Sequence, residues 1–289
     1  MNSINEQQQQ QQPPPTQRTG AGLGADSAQT NPLKRPLTIM FCLPGKSFSN
    51  HFLLSWSELM MYCLTHQIRP LVSCQQNSNV YHLRNACLGA DILRGSLQLP
   101  FDGKLDYDFI MWIDSDQVFS PAQFETLLRH DKEVVSGLYL MQGARQYAAV
   151  RDWDVSYFKK HGRFEFLTRP MLEQWVENNC IGTPTERKNE QTGQVIKDYS
   201  SCTFPLMKVS YTGFGWTLVK KGVFEKMTYP WFNATTEEFE LTNEKDGSVL
   251  TIKELLSEDV SLCKRLETLG IPLYVDVRAI VGHEKTIVL

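Results

Sequence analysis

The chain has 289 residues, 42% of them hydrophobic, and its 29 basic and 32 acidic residues leave a net charge of −3. A chain of this length can form one large α/β domain or two closely packed halves. Its basic residues form no block, which argues against nucleic acid as the main partner. The seven cysteines are scattered without a C-x-x-C pair, as expected for reduced thiols in the cytosol rather than a disulfide framework or zinc site.

Residues 1–34 differ from the rest of the chain because they are rich in Gln, Pro, Gly and Ser. Such a segment has too few apolar side chains to offset the entropy lost on ordering, so we predict a disordered tail. The tail contains no apolar signal core, and no apolar run in the chain is long enough to cross a membrane. The sequence therefore predicts a cytoplasmic protein without a transmembrane segment, with a peripheral position at a membrane left open.

Apolar runs and helical patterns alternate from Leu37 onward. The runs predict strands at Leu37–Leu43, Pro70–Ser73 and Tyr107–Ile113, and the patterns predict helices near Asn50–His66 and Asn79–Arg94. Pro44-Gly45 ends the first strand. This alternation predicts a Rossmann-like α/β fold with a mainly parallel, doubly wound sheet.

The next helix has the clearest start in the chain. Ser120 suits the N-cap, Pro121 suits the first helical position, and Gln123 completes a capping box. A strand at Glu133–Leu140 follows and closes a first half of the domain, residues 35–140.

The second half, residues 141–289, has a looser pattern and is expected to be a smaller mixed region. Its predicted elements are a polar surface loop at Glu186–Lys197, an extended segment at 209–219, a helix near Ile252–Leu269 and a last extended segment at Leu273–Val281.

The triplet Asp114-Ser115-Asp116 directly follows a strongly apolar strand. In a parallel α/β sheet, ligands bind beyond the carboxyl ends of the strands. Two carboxylates separated by one residue can hold Mg²⁺ or Mn²⁺ against a diphosphate, since these ions prefer oxygen ligands and keep positions open for phosphate. The alternative is that the two acids only end a strand and begin a loop.

A second acidic motif, Ser257-Glu258-Asp259, lies in the predicted C-terminal helix. Helical spacing places Asp259 on one face with four apolar residues, namely Leu255, Leu262, Cys263 and Leu266. A carboxylate on that face needs a partner or borders a cleft, and partial burial would raise its pKa and suit it to general-base chemistry. Equally, acids in a first helical turn are favoured by the helix dipole, with Ser257 as the cap.

Three further features indicate a functional site only when they are considered together with these acids. His283 follows the last extended segment and can complete a metal site, or it is simply solvated. Arg84 on an early helix can reach a phosphate or form a structural ion pair. Gly213 and Gly215 permit close approach to a ligand with Trp216 as a stacking wall for a sugar, or Trp216 belongs to the core.

In this order, the motifs resemble those of GT-A glycosyltransferases, especially the family-two-like group, over roughly Leu37–His283. Those enzymes have an early strand that ends near the nucleotide, an apolar strand with DxD, a "TGF" segment, an "ED" before a helix and a late histidine. The matching residues here are Leu43-Pro44, Asp114-Ser115-Asp116, Thr212-Gly213-Phe214, Glu258-Asp259 and His283.

The resemblance implies a transferase that moves one sugar from a UDP- or GDP-linked donor to a glycan, lipid-linked or protein acceptor. Asp116 and His283 would bind Mn²⁺ or Mg²⁺, and Asp114 would join them or contact the ribose or a metal-bound water. Asp259, with Glu258 as neighbour or substitute, would be the base of an inverting displacement. The residues implied at the nucleotide-sugar are Pro44, Arg84, Asp114, Ser115, Gly213 and Trp216. Residues 35–140 would be the donor half and 141–289 the acceptor and catalytic half.

One departure and two rival functions remain open. Many relatives place an acid after the second strand to read the base, whereas this chain has Ser73-Cys74-Gln75-Gln76-Asn77, which leaves the choice of uracil or guanine undecided. Asp114-Ser115-Asp116-Gln117-Val118 also fits the motif of haloacid-dehalogenase-like phosphatases, with Asp114 as nucleophile, although two strands precede it. The other rival is a non-catalytic carbohydrate-binding protein of transferase fold.

Overall fold

The computed structural model of the protein describes residues 35–188, 195–242 and 246–285, so the tail predicted at 1–34 lies outside the described residues. The described residues from Pro36 onward form one compact unit. Its helices are α1 (Asn50–Thr65), α2 (Val80–Cys87), α3 (Pro121–Arg129), α4 (Val155–His161), α5 (Arg169–Asn179) and α6 (Glu258–Thr268). Its strands are β1 (Thr38–Pro44), β2 (Arg69–Gln75), β3 (Phe109–Ile113), β4 (Gln117–Val118), β5 (Val134–Leu138), β6 (Ala149–Val150), β7 (Thr185–Lys188), β8 (Val195–Asp198), β9 (Met207–Val209), β10 (Tyr211–Thr212), β11 (Trp216–Lys220), β12 (Thr236–Thr242), β13 (Val249–Leu255), β14 (Leu273–Ile280) and β15 (Gly282–His283).

A seven-stranded central sheet has the order β2-β1-β3-β11-β5-β14-β9. The neighbours β2–β1, β1–β3 and β5–β14 are parallel, whereas β11 is antiparallel to both β3 and β5, and β9 is antiparallel to β14. Five of the seven strands therefore run in the same direction, and only β11 and β9 run in the opposite one. This confirms the α/β class and a mostly parallel sheet. The single extended segment predicted at 209–219 is corrected, since β10 leaves this sheet to pair with β6.

Both faces of the sheet are covered, which explains the continuous apolar run of β3. Successive side chains of a strand point to opposite faces. Ile110 and Trp112 accordingly belong to one hydrophobic core with α2 and α6, while Phe109, Met111 and Ile113 belong to a second core with α1 and α3. All five side chains of β3 are buried, so the strand is a rigid base for the residues that follow it.

The strand order places a topological switch point at the end of β1. The chain passes from β1 through α1 to β2 on one side, and returns through α2 to β3 on the other. In open α/β sheets, this divergence leaves a crevice beyond the carboxyl ends of the two central strands, where ligands bind. In this sheet, the corresponding position is beyond Pro44 of β1 and Ile113 of β3.

The helix boundaries agree with the sequence where the capping residues are local. The capping box of Ser120 and Gln123 is present at the start of α3. The helix predicted at 79–94 is shorter than expected, because Gly89 adopts a left-handed backbone with φ of +72° just after α2. Within the described ranges, no helix is both long enough and apolar enough to cross a lipid bilayer.

The helix predicted from Ile252 is wrong at its start. Residues 252–255 belong to β13, which pairs with β12 as an antiparallel hairpin, and Ser257 caps α6 through the backbone N–H of Val260. Leu255 is consequently 65% exposed and not part of the helical face. The surface loop predicted at 186–197 is a β7–β8 hairpin in its described part.

Candidate active site

The Asp114-Ser115-Asp116 turn lies at the switch point and is fixed by its backbone. The Asp114 N–H donates to the Gly215 carbonyl at 3.0 Å, and the Gln117 N–H donates to the Asp114 carbonyl at 3.1 Å. Ser115 is partly exposed and packs against Gly45, where an added Cβ would lie only 2.5 Å from the Ser115 Cβ. Glycine at position 45 therefore allows the loop after β1 to approach the acidic turn. Pro44 is buried at the end of β1.

Arg84 of α2 joins the first aspartate to the acidic pair of α6. Its guanidinium makes two hydrogen bonds to Asp114, each 3.2 Å, and its Nε lies 3.4 Å from Glu258 Oε1 and 3.6 Å from Asp259 Oδ1. Arg84 is only 3% exposed and lies over the ring of Trp112 at 5.6 Å. One buried cation thus faces the carboxyl groups of Asp114, Glu258 and Asp259.

This excess of acids over cations favours a proton on Asp259. Burial raises the pKa of Asp259 to about 7; Arg84 opposes the rise, while Glu258 and Asp114 add to it. The Phe214 N–H donates to Asp259 Oδ2 at 3.3 Å, but Asp259 Oδ1 makes no hydrogen bond. A carboxyl group with a pKa near neutrality and one unengaged oxygen suits general acid–base chemistry.

We expect Arg84→Met to lower the free energy of unfolding by about 3–5 kcal/mol, because it leaves buried carboxylates without their cation. Urea denaturation monitored by circular dichroism measures this change. Arg129→Met is the control, since Arg129 is 75% exposed and its pair with Glu125 lies on the surface; its effect should stay within about 1 kcal/mol. Equal effects of the two substitutions would contradict the buried-cation role.

The second aspartate meets the late histidine. Pairing of β15 with β4 places His283 opposite Gln117, and His283 Nε2 lies 3.1 Å from Asp116 Oδ2. His283 Nδ1 lies 2.6 Å from the Leu140 carbonyl oxygen, which only accepts hydrogen bonds, so Nδ1 carries the proton and Nε2 faces Asp116. Burial lowers the pKa of His283, but the bond to Asp116 and the Leu140 carbonyl raise it by more.

Lys285 adds a further cation to Asp116. Its Nζ lies 2.6 Å from Asp116 Oδ2, and the Glu284 N–H donates to the Asp116 carbonyl at 2.7 Å. Burial by itself favours the protonated carboxyl, yet His283 and Lys285 lower the pKa of Asp116 to about 2. Asp116 is therefore ionised at neutral pH, at the rim of the crevice, where its side chain is 36% exposed.

Two residues of this cluster have no role in the sequence interpretation: Lys285 and Tyr139. Tyr139 accepts a hydrogen bond from the Gly215 N–H at 3.3 Å, and its ring meets the His283 ring edge-on at 5.0 Å. Lys285 is only two residues after His283, so its position near the site follows from that of the histidine. Tyr139 lies within the predicted strand Glu133–Leu140, and no local pattern distinguishes it from a core tyrosine.

The glycines at 213 and 215 serve close packing within the protein. A Cβ at Gly213 would overlap the Tyr139 hydroxyl, and one at Gly215 would lie 3.2 Å from Asp114 Oδ2 and 2.9 Å from Gln117 Nε2. Other groups therefore do approach Gly213 and Gly215 closely, as predicted, but these groups are side chains of the protein and not a ligand. This close packing keeps Tyr139, Asp114 and Asp259 around one loop.

Three predicted roles differ from what the structure places. Trp216 is fully buried and packs on Phe119 with ring centroids 4.7 Å apart, so its role as a wall for a sugar ring is wrong and the core alternative holds. Arg84 faces carboxylates with 3% exposure and presents no surface to a phosphate. Asp114 has both oxygens bound to Arg84, which leaves it unsuited as a direct metal ligand.

The remaining donors, Asp116 and His283, are the side chains of this cluster that could hold a divalent cation. Among the described residues, no group of three or more His, Cys, Asp and Glu converges as a complete metal site. Asp116 and His283 nevertheless present one carboxylate oxygen and one imidazole nitrogen 3.1 Å apart at the crevice. Mn²⁺ accepts such a mixed pair, and Mg²⁺-type sites often use few protein ligands and complete the coordination with phosphate oxygens and water.

Comparison with known proteins yields a distant structural likeness and no sequence match. No family model matches the chain, and none of the curated proteins matches it. The chain is similar to the crystal structure of A197 from STIV, with 15% identity, a TM-score of 0.42 and 86% of each chain covered. Because both the identity and the TM-score are low, this likeness carries no conclusion about the site.

Proposed function

We propose that the protein is a metal-dependent glycosyltransferase of the GT-A type that moves a single sugar from a nucleotide-diphosphate donor to an acceptor hydroxyl. One observation carries the proposal. The Asp114-Ser115-Asp116 motif, Asp259 and His283 are far apart in sequence, yet all lie around the turn after β3, at the switch point of the sheet. This is the place where an open α/β sheet binds its ligand.

The two sides of the cluster suit the two halves of the proposed reaction. Asp116 and His283 would hold Mn²⁺ or Mg²⁺, which supplies charge neutralisation for a leaving diphosphate. Lys285 is placed to contribute a second positive charge at the same rim. A UDP- or GDP-linked sugar would therefore bind with its diphosphate toward Asp116.

Asp259 would act on the acceptor. Its Oδ1 makes no hydrogen bond, although it is buried and lies 3.6 Å from Arg84 Nε, and it would take the proton of the attacking hydroxyl; the Phe214 N–H holds its other oxygen in place. Direct attack on the anomeric carbon from the face opposite the leaving group would invert the configuration. Glu258 would keep Arg84 in position, and Arg84 would orient Asp114 beneath the donor.

The contacts of Asp114 count against the phosphatase alternative. A nucleophilic aspartate needs one oxygen directed at the phosphorus of its substrate. Both oxygens of Asp114 are instead bound by the buried Arg84. A purely structural or sugar-binding role accounts for the Arg84 cluster but assigns no function to the partly exposed Asp116–His283 pair, so it is less well supported.

A thermal-shift panel tests the proposal directly. UDP-glucose, UDP-galactose, UDP-N-acetylglucosamine, GDP-mannose and GDP-glucose are each added with Mn²⁺ or with EDTA. A ligand at 100 times its Kd stabilises a protein by about 2.7 kcal/mol, which corresponds to roughly 5–10 °C at this chain length. We expect at least one nucleotide-sugar to give this shift with Mn²⁺ and to lose it with EDTA. Aspartyl-phosphate formation from a phosphate ester, without any such shift, would favour the phosphatase.

A further inference from the structure

A cavity of about 290 Å³ lies beside the N-terminal end of α6, outside the acidic cluster. Its walls are mostly apolar and include Trp153, Phe164, Phe166, Tyr211, Leu255 and Val260. Aromatic side chains normally cover one another in a core or an interface. An open apolar cavity with a few polar groups at its edge indicates a binding place for an apolar ligand.

The aromatic wall of this cavity is held in place by its own contacts. The edge of the Trp153 ring meets Phe164 at a centroid distance of 4.8 Å, and Trp153 Nε1 donates to Glu267 Oε2 at 3.1 Å. The ammonium of Lys264 lies 4.6 Å from the Trp153 ring centroid and is itself paired with Glu237 at 2.6 Å. A ligand would therefore meet a preformed surface, which lowers the entropic cost of binding.

The cavity adjoins the proposed catalytic base. Ser257 and Val260 line it, and these two residues directly flank Glu258-Asp259 in the chain. Tyr211 on its wall stands two residues before Gly213, in the loop whose Phe214 N–H binds Asp259. Burial, and next the charge of Asp259, raise the pKa of Tyr211, as expected for a phenol that lies near that carboxyl.

The volume of the cavity limits the size of the apolar group that it can hold. An engineered apolar cavity of about 150 Å³ in another protein holds one benzene ring. The volume of about 290 Å³ here is roughly twice as large and suits a fused two-ring aryl group or a branched alkyl group of that bulk. The few polar residues at the edge, Arg163 and Ser257 among them, are available to the rest of a larger molecule.

We infer that this cavity binds the apolar part of the acceptor. That part is a two-ring aryl group or a branched alkyl group of similar bulk, attached next to the hydroxyl that receives the sugar. The inference rests on the proposed function, because it assigns the cavity to the acceptor of the same site. It narrows the acceptor to amphipathic hydroxyl compounds, since the mostly apolar walls offer few groups that could hydrogen-bond the hydroxyls of a simple hydrophilic sugar.

Calorimetric titration of the full chain with two matched probes tests this inference. The probes are 2-naphthyl β-D-glucopyranoside and methyl β-D-glucopyranoside, which share the sugar and differ in the apolar group. We expect the naphthyl probe to bind at least about tenfold more tightly, equivalent to about 1.4 kcal/mol. Leu255→Glu, at the mouth of the cavity, should abolish this preference. Leu250→Glu should retain it, because Leu250 lies on the same strand with 63% exposure against 65% for Leu255 and does not line the cavity.

The nucleotide-sugar panel run on the same preparation separates the possible failures. Equal affinity for the two probes overturns the inference, and so does an equal loss of the naphthyl preference in Leu255→Glu and Leu250→Glu. In either case, a Mn²⁺-dependent thermal shift by a nucleotide-sugar leaves the proposed function intact. A naphthyl preference that depends on Leu255, combined with a donor shift, supports both. A naphthyl preference without any donor shift makes the cavity an apolar-ligand site of a different kind of protein and overturns the acceptor assignment.

Discussion

Asp116→Ala is expected to abolish the Mn²⁺-dependent thermal shift by a nucleotide-sugar and to lower the transfer rate by about 1000-fold, or about 4 kcal/mol. The physical reason is the geometry at the rim of the crevice. Asp116 is the only one of the two motif aspartates with an oxygen directed at His283, and its low pKa keeps it ionised at neutral pH. Removing it leaves a single imidazole, which binds Mn²⁺ weakly. The shift and the initial rate at saturating donor are the two measurements.

The same substitution should cost little stability, and this difference separates a ligand role from a structural one. Asp116, His283 and Lys285 are partly exposed, so the ion pairs they form are worth less than about 1 kcal/mol each. Asp152→Ala is the matched control, because Asp152 is exposed and lies outside the acidic cluster. If Asp116→Ala unfolds the protein, or if it retains a full Mn²⁺-dependent shift, then Asp116 is not the metal ligand.

The elements that the sequence predicts well are those set by local chemistry. Thr38–Pro44 and Phe109–Ile113 are continuous apolar runs that only a buried strand explains, and the cap at Ser120 depends on residues three positions apart. The resemblance of the motif order to that of GT-A glycosyltransferases implies that the acids and His283 approach one another, and in the structure Asp116 and His283 do so. Local patterns and motif order therefore gave the coarse fold and most of the candidate site.

The features of the fold that the sequence does not predict depend on contacts between distant segments. β11 is inserted antiparallel between β3 and β5, and its run of apolar residues is compatible with either direction. The helix at Ile252 was misplaced because the β12–β13 hairpin is stabilised by pairing across its two strands, whereas its own pattern resembles a helix. The direction of β11 has no local signal in the sequence, whereas Asp246-Gly247 between β12 and β13 is a turn pair typical of hairpins, which the predicted helix does not take into account.

The partner of Arg84 is the most consequential of these non-local contacts. An arginine on an early helix is equally consistent with a phosphate ligand and with an internal ion pair, and only the packing of α2 against the turn after β3 decides between them. The decision changes the chemistry of the site. Because Arg84 is held by Asp114, it does not bind the donor. It acts instead on Asp259, whose pKa it lowers against the effect of burial.

Asp259→Asn is expected to lower kcat by a factor of about 10² to 10⁴ while leaving the Mn²⁺-dependent donor shift unchanged. Asparagine has nearly the same shape, and its carbonyl oxygen can still accept the hydrogen bond from the Phe214 N–H, so folding and donor binding should be preserved. What it loses is the ability to take a proton from the acceptor. Initial rates and thermal shifts on one preparation measure the two effects separately.

The pH profile identifies Asp259 as the group responsible. A base works only when deprotonated, and burial raises the pKa of Asp259 to about 7, so kcat/KM should fall about tenfold per pH unit below pH 7 and level off above it. The ascending limb should disappear in Asp259→Asn and remain in Glu258→Gln, because Glu258 is 8% exposed and faces Arg84. If the limb instead disappears in Glu258→Gln and survives in Asp259→Asn, the two acids exchange roles and the hydroxyl of the acceptor must approach from the side of Arg84.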